Sequence, residues 1–223
     1  MKKTHAFTLI ELLVVISIIA ILAGLAMKVG PLALERARAT ECKNNLAGLG
    51  KGIIQYLNDS DDTMFAADGA ETWPTVLQAK YVRDWRGFRS PFDKVSAARP
   101  KEKTGAMPVS YGLNDQVLTD AARFVGRWKN SGSVVILAAP AVDTATAGKN
   151  VKFVDDAFSD KNVKITRGPA GAYGTHMARE SINVLFADAH VEQMDWNKFI
   201  KNGTDQEKQR WDPMYEGAAG AGR

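Results

Sequence analysis

One carboxylate constrains this chain more than any other group. Glu11 sits near the start of an apolar run that continues from Leu12 to Met27 without a charge. A basic leader, Met1-Lys2-Lys3-Thr4-His5-Ala6, comes first, and Phe7-Thr8-Leu9-Ile10 lead into the carboxylate. Roughly twenty apolar residues in a helix cover about 30 Å, the hydrocarbon thickness of a bilayer. Ala6 to Met27 meets that length. An ionised side chain inside such a span is costly unless it finds a partner, which makes Glu11 a functional candidate. Lys2 and Lys3, with no acidic residue before Glu11, predict an N-terminus in the cytoplasm and the rest of the chain outside. An ordinary secretory signal shares the basic start and apolar run, and Gly24-Leu25-Ala26 offers a small-residue cleavage site. The length of the run and the carboxylate within it argue against that alternative.

The stretch Phe7-Thr8-Leu9-Ile10-Glu11-Leu12-Leu13 resembles the N-terminal processing and methylation motif of type IV pilins and type II secretion pseudopilins. The resemblance covers the leader and the apolar run. It implies cleavage by a prepilin peptidase between Ala6 and Phe7, followed by N-methylation of Phe7. The family usually has Gly before the cut, where this chain has Ala6. It further implies that Glu11 pairs with the N-terminal amine of a neighbouring subunit during self-assembly into a filament. Such pairing offsets the burial of both charges and sets the axial step between helices.

Composition limits the alternatives. The formal charge of +4 falls to +2 once Lys2 and Lys3 leave with the leader, too little to imply a nucleic-acid partner. The densest basic stretch, Arg99-Pro100-Lys101-Glu102-Lys103, is interrupted by a carboxylate and reads as a solvated loop. Cys42 is the single cysteine, so no intrachain disulfide forms. Many type IV pilins clamp a C-terminal loop with a disulfide; this departure tilts the resemblance toward pseudopilins. Cys42 falls in the series Ala39, Cys42, Leu46, Leu49, Ile53, Tyr56, whose three-and-four spacing predicts a buried helix face.

The expected organisation is a cleaved leader (1–6), a transmembrane or filament-core helix (7–30), its amphipathic continuation (31–58), an exported α+β domain (59–216) and a flexible tail (217–223). Gly30-Pro31 is expected to kink the helix. Gly48-Leu49-Gly50-Lys51-Gly52 superficially resembles a phosphate loop but lacks the Lys-Ser/Thr ending, so its glycines read as close-packing positions in a helix. The acidic turn Asn58-Asp59-Ser60-Asp61-Asp62 ends that helix. Thr72-Trp73-Pro74 opens a short helix to about Tyr81, and Arg83 to Gly105 reads as loop. Strands are expected at Val109–Leu113, Ser133–Ala138, Val151–Val154, Val163–Thr166, Ile182–Ala187 and Ala189–Met194, with a helix over Asp120–Trp128. Thr204-Asp205-Gln206-Glu207 carries a capping box for a terminal helix. The predicted fold is α+β, a long N-terminal helix packed on an antiparallel sheet.

A second resemblance lies near the C-terminus. Ile182, Val184 and Phe186 alternate on one face, Asp188-Ala189 reads as a two-residue turn, and His190 to Met194 return as a hairpin. With His176 upstream, this resembles a pilin-like C-terminal motif of His, nine residues and Asp-Gly; Ser110-Tyr111-Gly112-Leu113-Asn114 resembles a second segment of the same proteins. Here eleven residues separate His176 from Asp188, and Ala189 replaces the Gly. His176, Asp188 and His190 are ligand types that invite a metal. Pseudopilins also resemble one another in a calcium site in C-terminal loops, for which Asp155, Asp156 and Asp160 are the oxygen-rich candidates beside Asn162.

No Gly-x-Ser-x-Gly, His-Glu-x-x-His, Walker-type or dinucleotide motif occurs, so no catalytic residue is assigned and no cofactor beyond that candidate calcium. The expected function is a structural filament subunit of a type II secretion or type IV pilus-like machine in the inner membrane. The alternative is a membrane-anchored binding or enzymatic domain that uses pilin-type processing only for display.

Overall fold

The computed structural model describes residues 8–66, 72–93, 109–140, 164–165, 174–177, 179–200 and 203–217. Two compact units meet in sequence at Arg38/Ala39. Helix α1 (Leu9–Asp59) supplies nearly all described residues of the first and opens the second. Every large apolar side chain from Leu9 to Leu34 is exposed, on all sides of the helix. A helix that is apolar all round needs a lipid or protein environment on every face. Pro31 lies inside α1, with assigned helix on both sides.

From Ala39 onward α1 changes character. Cys42, Leu46, Leu49 and Ile53 are buried at the expected spacing, together with Gly50 and Gly52. The glycines differ in role. A Cβ on Gly52 would lie 2.6 Å from Val82 Cγ2 and one on Gly50 2.8 Å from Leu185 Cδ1, whereas Gly48 faces open space. Two left-handed residues, Asp61 (φ 49°) and Asp62 (φ 55°), terminate the helix, with Asp62 N–H donating to Leu57 C=O at 3.0 Å. Asp is among the few side chains that tolerate that backbone region.

Five strands form one sheet in the order β3-β1-β2-β4-β5: β1 (Tyr111–Asn114), β2 (Ile136–Pro140), β3 (Lys164–Ile165), β4 (Ser181–Phe186) and β5 (Val191–Asp195). The four longer strands pair antiparallel, as expected; the two-residue β3 pairs parallel to β1 at the edge. β1 and β2 are buried at every position, so both faces of the central sheet are covered. Asn183 donates to Ala39 C=O at 2.8 Å and Leu185 abuts Gly50, so these residues face α1. By alternation Ile182, Val184 and Phe186 face away.

Helix α2 (Trp73–Lys80) follows Thr72, whose hydroxyl meets Thr75 Oγ1 at 2.7 Å rather than capping the backbone. After β5 come α3 (Trp196–Ile200) and α4 (Asp205–Trp211). The Thr204–Glu207 capping box forms in both directions, at 3.3 Å and 2.9 Å. Phe199 packs between Trp196 and Trp211, with ring centroids 5.3 Å and 5.0 Å away.

Three expectations need correction. Asp120–Trp128 is not an α-helix but a series of turns ending in a 3-10 turn at Val125–Arg127. The backbone groups a helix would use are taken by residues 62–64: Val125 N–H donates to Asp62 C=O, and Arg123 C=O accepts from Met64 N–H at 2.7 Å. Within Arg83–Gly105, Trp85–Phe88 forms a 3-10 turn capped by the Asp84 carboxylate. Hydrogen bonds from the Arg86 N–H and guanidinium hold that carboxyl below its ordinary range. The β4–β5 turn has three residues, not two. Ala189 N–H donates to Phe186 C=O, Phe186 N–H donates to His190 C=O, and only Ala189 (φ 67°) is left-handed. A two-residue turn with both positions left-handed would strain two non-glycine residues; this one strains one. The expected strand Val151–Val154 and nearly all of the tail lie outside the described residues.

Candidate functional site

The carboxylate at the head of α1 is held by its own helix. Glu11 Oε2 accepts from Thr8 N–H at 2.8 Å and from Thr8 Oγ1 at 2.7 Å, while Thr8 Oγ1 accepts from Glu11 N–H at 3.3 Å. This is a reciprocal capping box, and it satisfies backbone donors that the first turn of any helix leaves open. Its sequence signal is Thr8-x-x-Glu11, the same spacing as Thr204-x-x-Glu207. Both residues are exposed. Ala6 and Phe7, the expected cleavage and methylation positions, lie outside the described residues.

The proposed histidine–aspartate set does not come together. His176 is buried, stacks on Phe92 with centroids 5.6 Å apart, and meets Thr175 Oγ1 through Nδ1 at 3.0 Å. It bridges Ser181 at the start of β4. Asp188 and His190 lie beyond the other end of that strand, and its six residues span about 17 Å. Among the described residues no group of three or more His, Cys, Asp or Glu side chains is placed to hold a metal. The calcium candidates Asp155, Asp156 and Asp160 lie outside the described residues.

Asp188 and His190 do form a pair. Asp188 Oδ1 meets His190 Nδ1 at 2.5 Å and accepts from its backbone N–H at 3.1 Å, while the imidazole stacks on Phe186 at 4.3 Å. Partial burial pushes the Asp188 carboxyl up, and the hydrogen bonds from His190 more than reverse this, leaving it below the ordinary range. The pair pins the turn.

Cys42 is wholly buried, and burial pushes its thiol up, as expected for a packed side chain rather than a nucleophile. Burial likewise raises the Tyr111 hydroxyl beside it well above its ordinary value. A cavity of about 160 Å³ lies between the end of α1 and Trp128, and its lining carries no titratable side chain.

Residues 1–27 match the family model described as the prokaryotic N-terminal methylation motif. That match and the long apolar helix fit a type IV pilin-like protein. No curated protein and no solved structure matches the chain significantly. The motif implies processing by a prepilin peptidase and pilin-type assembly. In this pilin-like chain α1 is long and apolar enough to serve as a single-pass membrane anchor, and the helix-on-sheet layout is pilin-like.

Proposed function

We propose that this chain is a structural subunit of a type II secretion pseudopilus or type IV pilus-like filament, not an enzyme. The observation that carries the reading is Glu11 inside the methylation motif, at the head of a helix whose large apolar side chains from Leu9 to Leu34 are exposed all round. The precursor sits in the inner membrane with its N-terminus in the cytoplasm and residues beyond the span outside. Prepilin peptidase cuts between Ala6 and Phe7 and the new amine is methylated. Helices from successive subunits then leave lipid for one another, and Glu11 pairs with the Phe7 amine of a neighbour. That pairing compensates two charges at once and rejects registers that would leave either unpaired. Work is mechanical: a growing filament displaces cargo in its path.

Intact mass and N-terminal peptide sequence of the membrane-bound protein test the processing. A chain beginning at methylated Phe7 supports the reading, and one beginning after Ala26 defeats it. Crosslinked oligomers of Glu11→Gln test the assembly. Their loss, with loss of function, is expected; a variant that still reaches the surface and functions would favour simple display.

A further inference from the structure

The cavity between the end of α1 and Trp128 plays no part in the processing motif, and its walls are held open. Leu57, Met64, Val125, Trp128 and Leu137 supply carbon surface around about 160 Å³. Its walls are pinned by bonds that filling the space would leave intact. Val125 N–H donates to Asp62 C=O at 3.0 Å and Ala187 N–H to Val135 C=O at 3.0 Å. The Trp128 indole N–H donates to Ala122 C=O at 2.7 Å. Walls so fixed resist collapse, and an empty space between them forfeits the contacts that a guest would make.

Asn130 gives the cavity its polar end. Its amide nitrogen donates to the carbonyls of Asp212, Pro213 and Tyr215 at 3.0, 3.3 and 3.1 Å. Three acceptors around one end of the amide fix that end as the nitrogen. The other end is Oδ1, an acceptor to which no described residue donates.

We infer that this cavity is a binding site for a small, neutral aromatic molecule carrying one hydrogen-bond donor, a phenol. The inference is independent of the filament reading. Size sets the ring count: a cavity of about 150 Å³ lined by apolar side chains takes up benzene, so one ring fits here. Charge is excluded because no titratable side chain lines the space, and an ion would enter it unpaired. The Trp128 ring and the Met64 thioether both favour an aromatic guest over an alkyl one. Asn130 Oδ1 selects a guest with a hydroxyl, since a guest without one would cover the acceptor and leave it unbonded.

The test uses the full chain in detergent micelles with isotope-labelled methionine methyl groups, read by NMR. Met64 lines the cavity and is wholly buried; Met177 is 43 % exposed and does not line it. Phenol is titrated to about 10 mM, against fluorobenzene, of matching size and without a donor, at equal free concentrations. The Met64 signal, assigned by its loss in Met64→Leu, is expected to shift and saturate with phenol while Met177 stays in place. Phenol is expected to bind about tenfold tighter than fluorobenzene, the effect of one hydrogen bond. Ala187→Leu and Val125→Phe each enlarge a wall side chain. Whichever of them keeps the dispersed methyl spectrum of a folded chain is expected to lose the saturable shift. Absence of a saturating Met64 shift overturns the inference, and so does one that persists in the filled cavity. Equal affinity for fluorobenzene overturns it by removing Asn130 as the selecting group. Shifts of every methionine in linear proportion to phenol overturn it as well, because they report partition into the micelle.

Discussion

Gly50 of α1 and Ala189 of the β4–β5 turn meet where no second side chain fits: a Cβ on Gly50 would lie 3.1 Å from the Ala189 Cβ and 3.4 Å from its Cα. Leu185 Cδ1 can swing aside, but the turn's backbone cannot. Gly50→Ala is therefore expected to destabilise the protein by about 1–2 kcal/mol, crowding outweighing the gain in helix propensity. Gly48→Ala, two residues away and facing open space, is expected to stabilise by roughly 0.5–1 kcal/mol. Thermal unfolding of the detergent-solubilised chain distinguishes them by sign.

The same turn carries one strained residue. Ala189 holds φ 67°, where its Cβ crowds the backbone. Replacing it by glycine restores the residue type favoured at the last position of such a loop. Ala189→Gly is expected to raise stability by about 0.5 kcal/mol, reduced from the full strain because the contact with Gly50 is lost. A fall in the denaturation midpoint would show that the contact outweighs the strain.

Asp188 makes stability depend on pH in a definite direction. Its folded carboxyl titrates below the ordinary range, so its contribution is complete above about pH 4 and disappears as pH falls through the folded value. The side chain is 41 % exposed, so solvent screening limits the effect to under about 1 kcal/mol. Asp188→Asn should melt lower than the unaltered chain near neutrality and converge with it in acid. A gap that stays constant across that window would exclude ionisation as its cause.

Asn114 is buried in β1 and donates to Ile136 C=O at 2.9 Å and to Trp211 C=O at 2.8 Å. Asn114→Ala strands two buried carbonyls and is expected to cost about 2–4 kcal/mol. The α4 end should loosen first, visible as faster hydrogen exchange at Trp211. Uniform exchange across the sheet would mean that Asn114 serves β2 alone.

Cys42 reports on folding through chemistry. Buried at 0 % exposure with its thiol pushed up, it should resist maleimide at neutral pH in the folded protein and react fully in denaturant. Fast labelling of the native chain would show that α1 lifts from the sheet.

What could be read from the sequence was whatever repeats along one element. The unbroken apolar run and the spacing of Cys42, Leu46, Leu49 and Ile53 located α1 and its buried face, and the alternation at Ile182, Val184 and Phe186 located the hairpin. Interactions that depend on a distant stretch of chain left no local mark. Asp120–Trp128 has helical composition, yet its backbone is engaged by Asp62 and Met64. Asn183 reaches Ala39 across 144 positions, and nothing distinguishes that amide from any other asparagine until the fold exists. The Thr8–Glu11 cap, by contrast, is written in the local spacing of two residues.

Asn130 ties down the C-terminal segment through hydrogen bonds alone. Its amide reaches Asp212 C=O at 3.0 Å and Tyr215 C=O at 3.1 Å, and Lys129 meets Glu216 at 3.1 Å beside it. None of these bonds requires an oxidant, and with one cysteine in the chain there is no wrong pairing to unscramble. The globular unit can therefore mature at the same rate in reducing and oxidising surroundings, and no thiol reductant can undo its C-terminal closure.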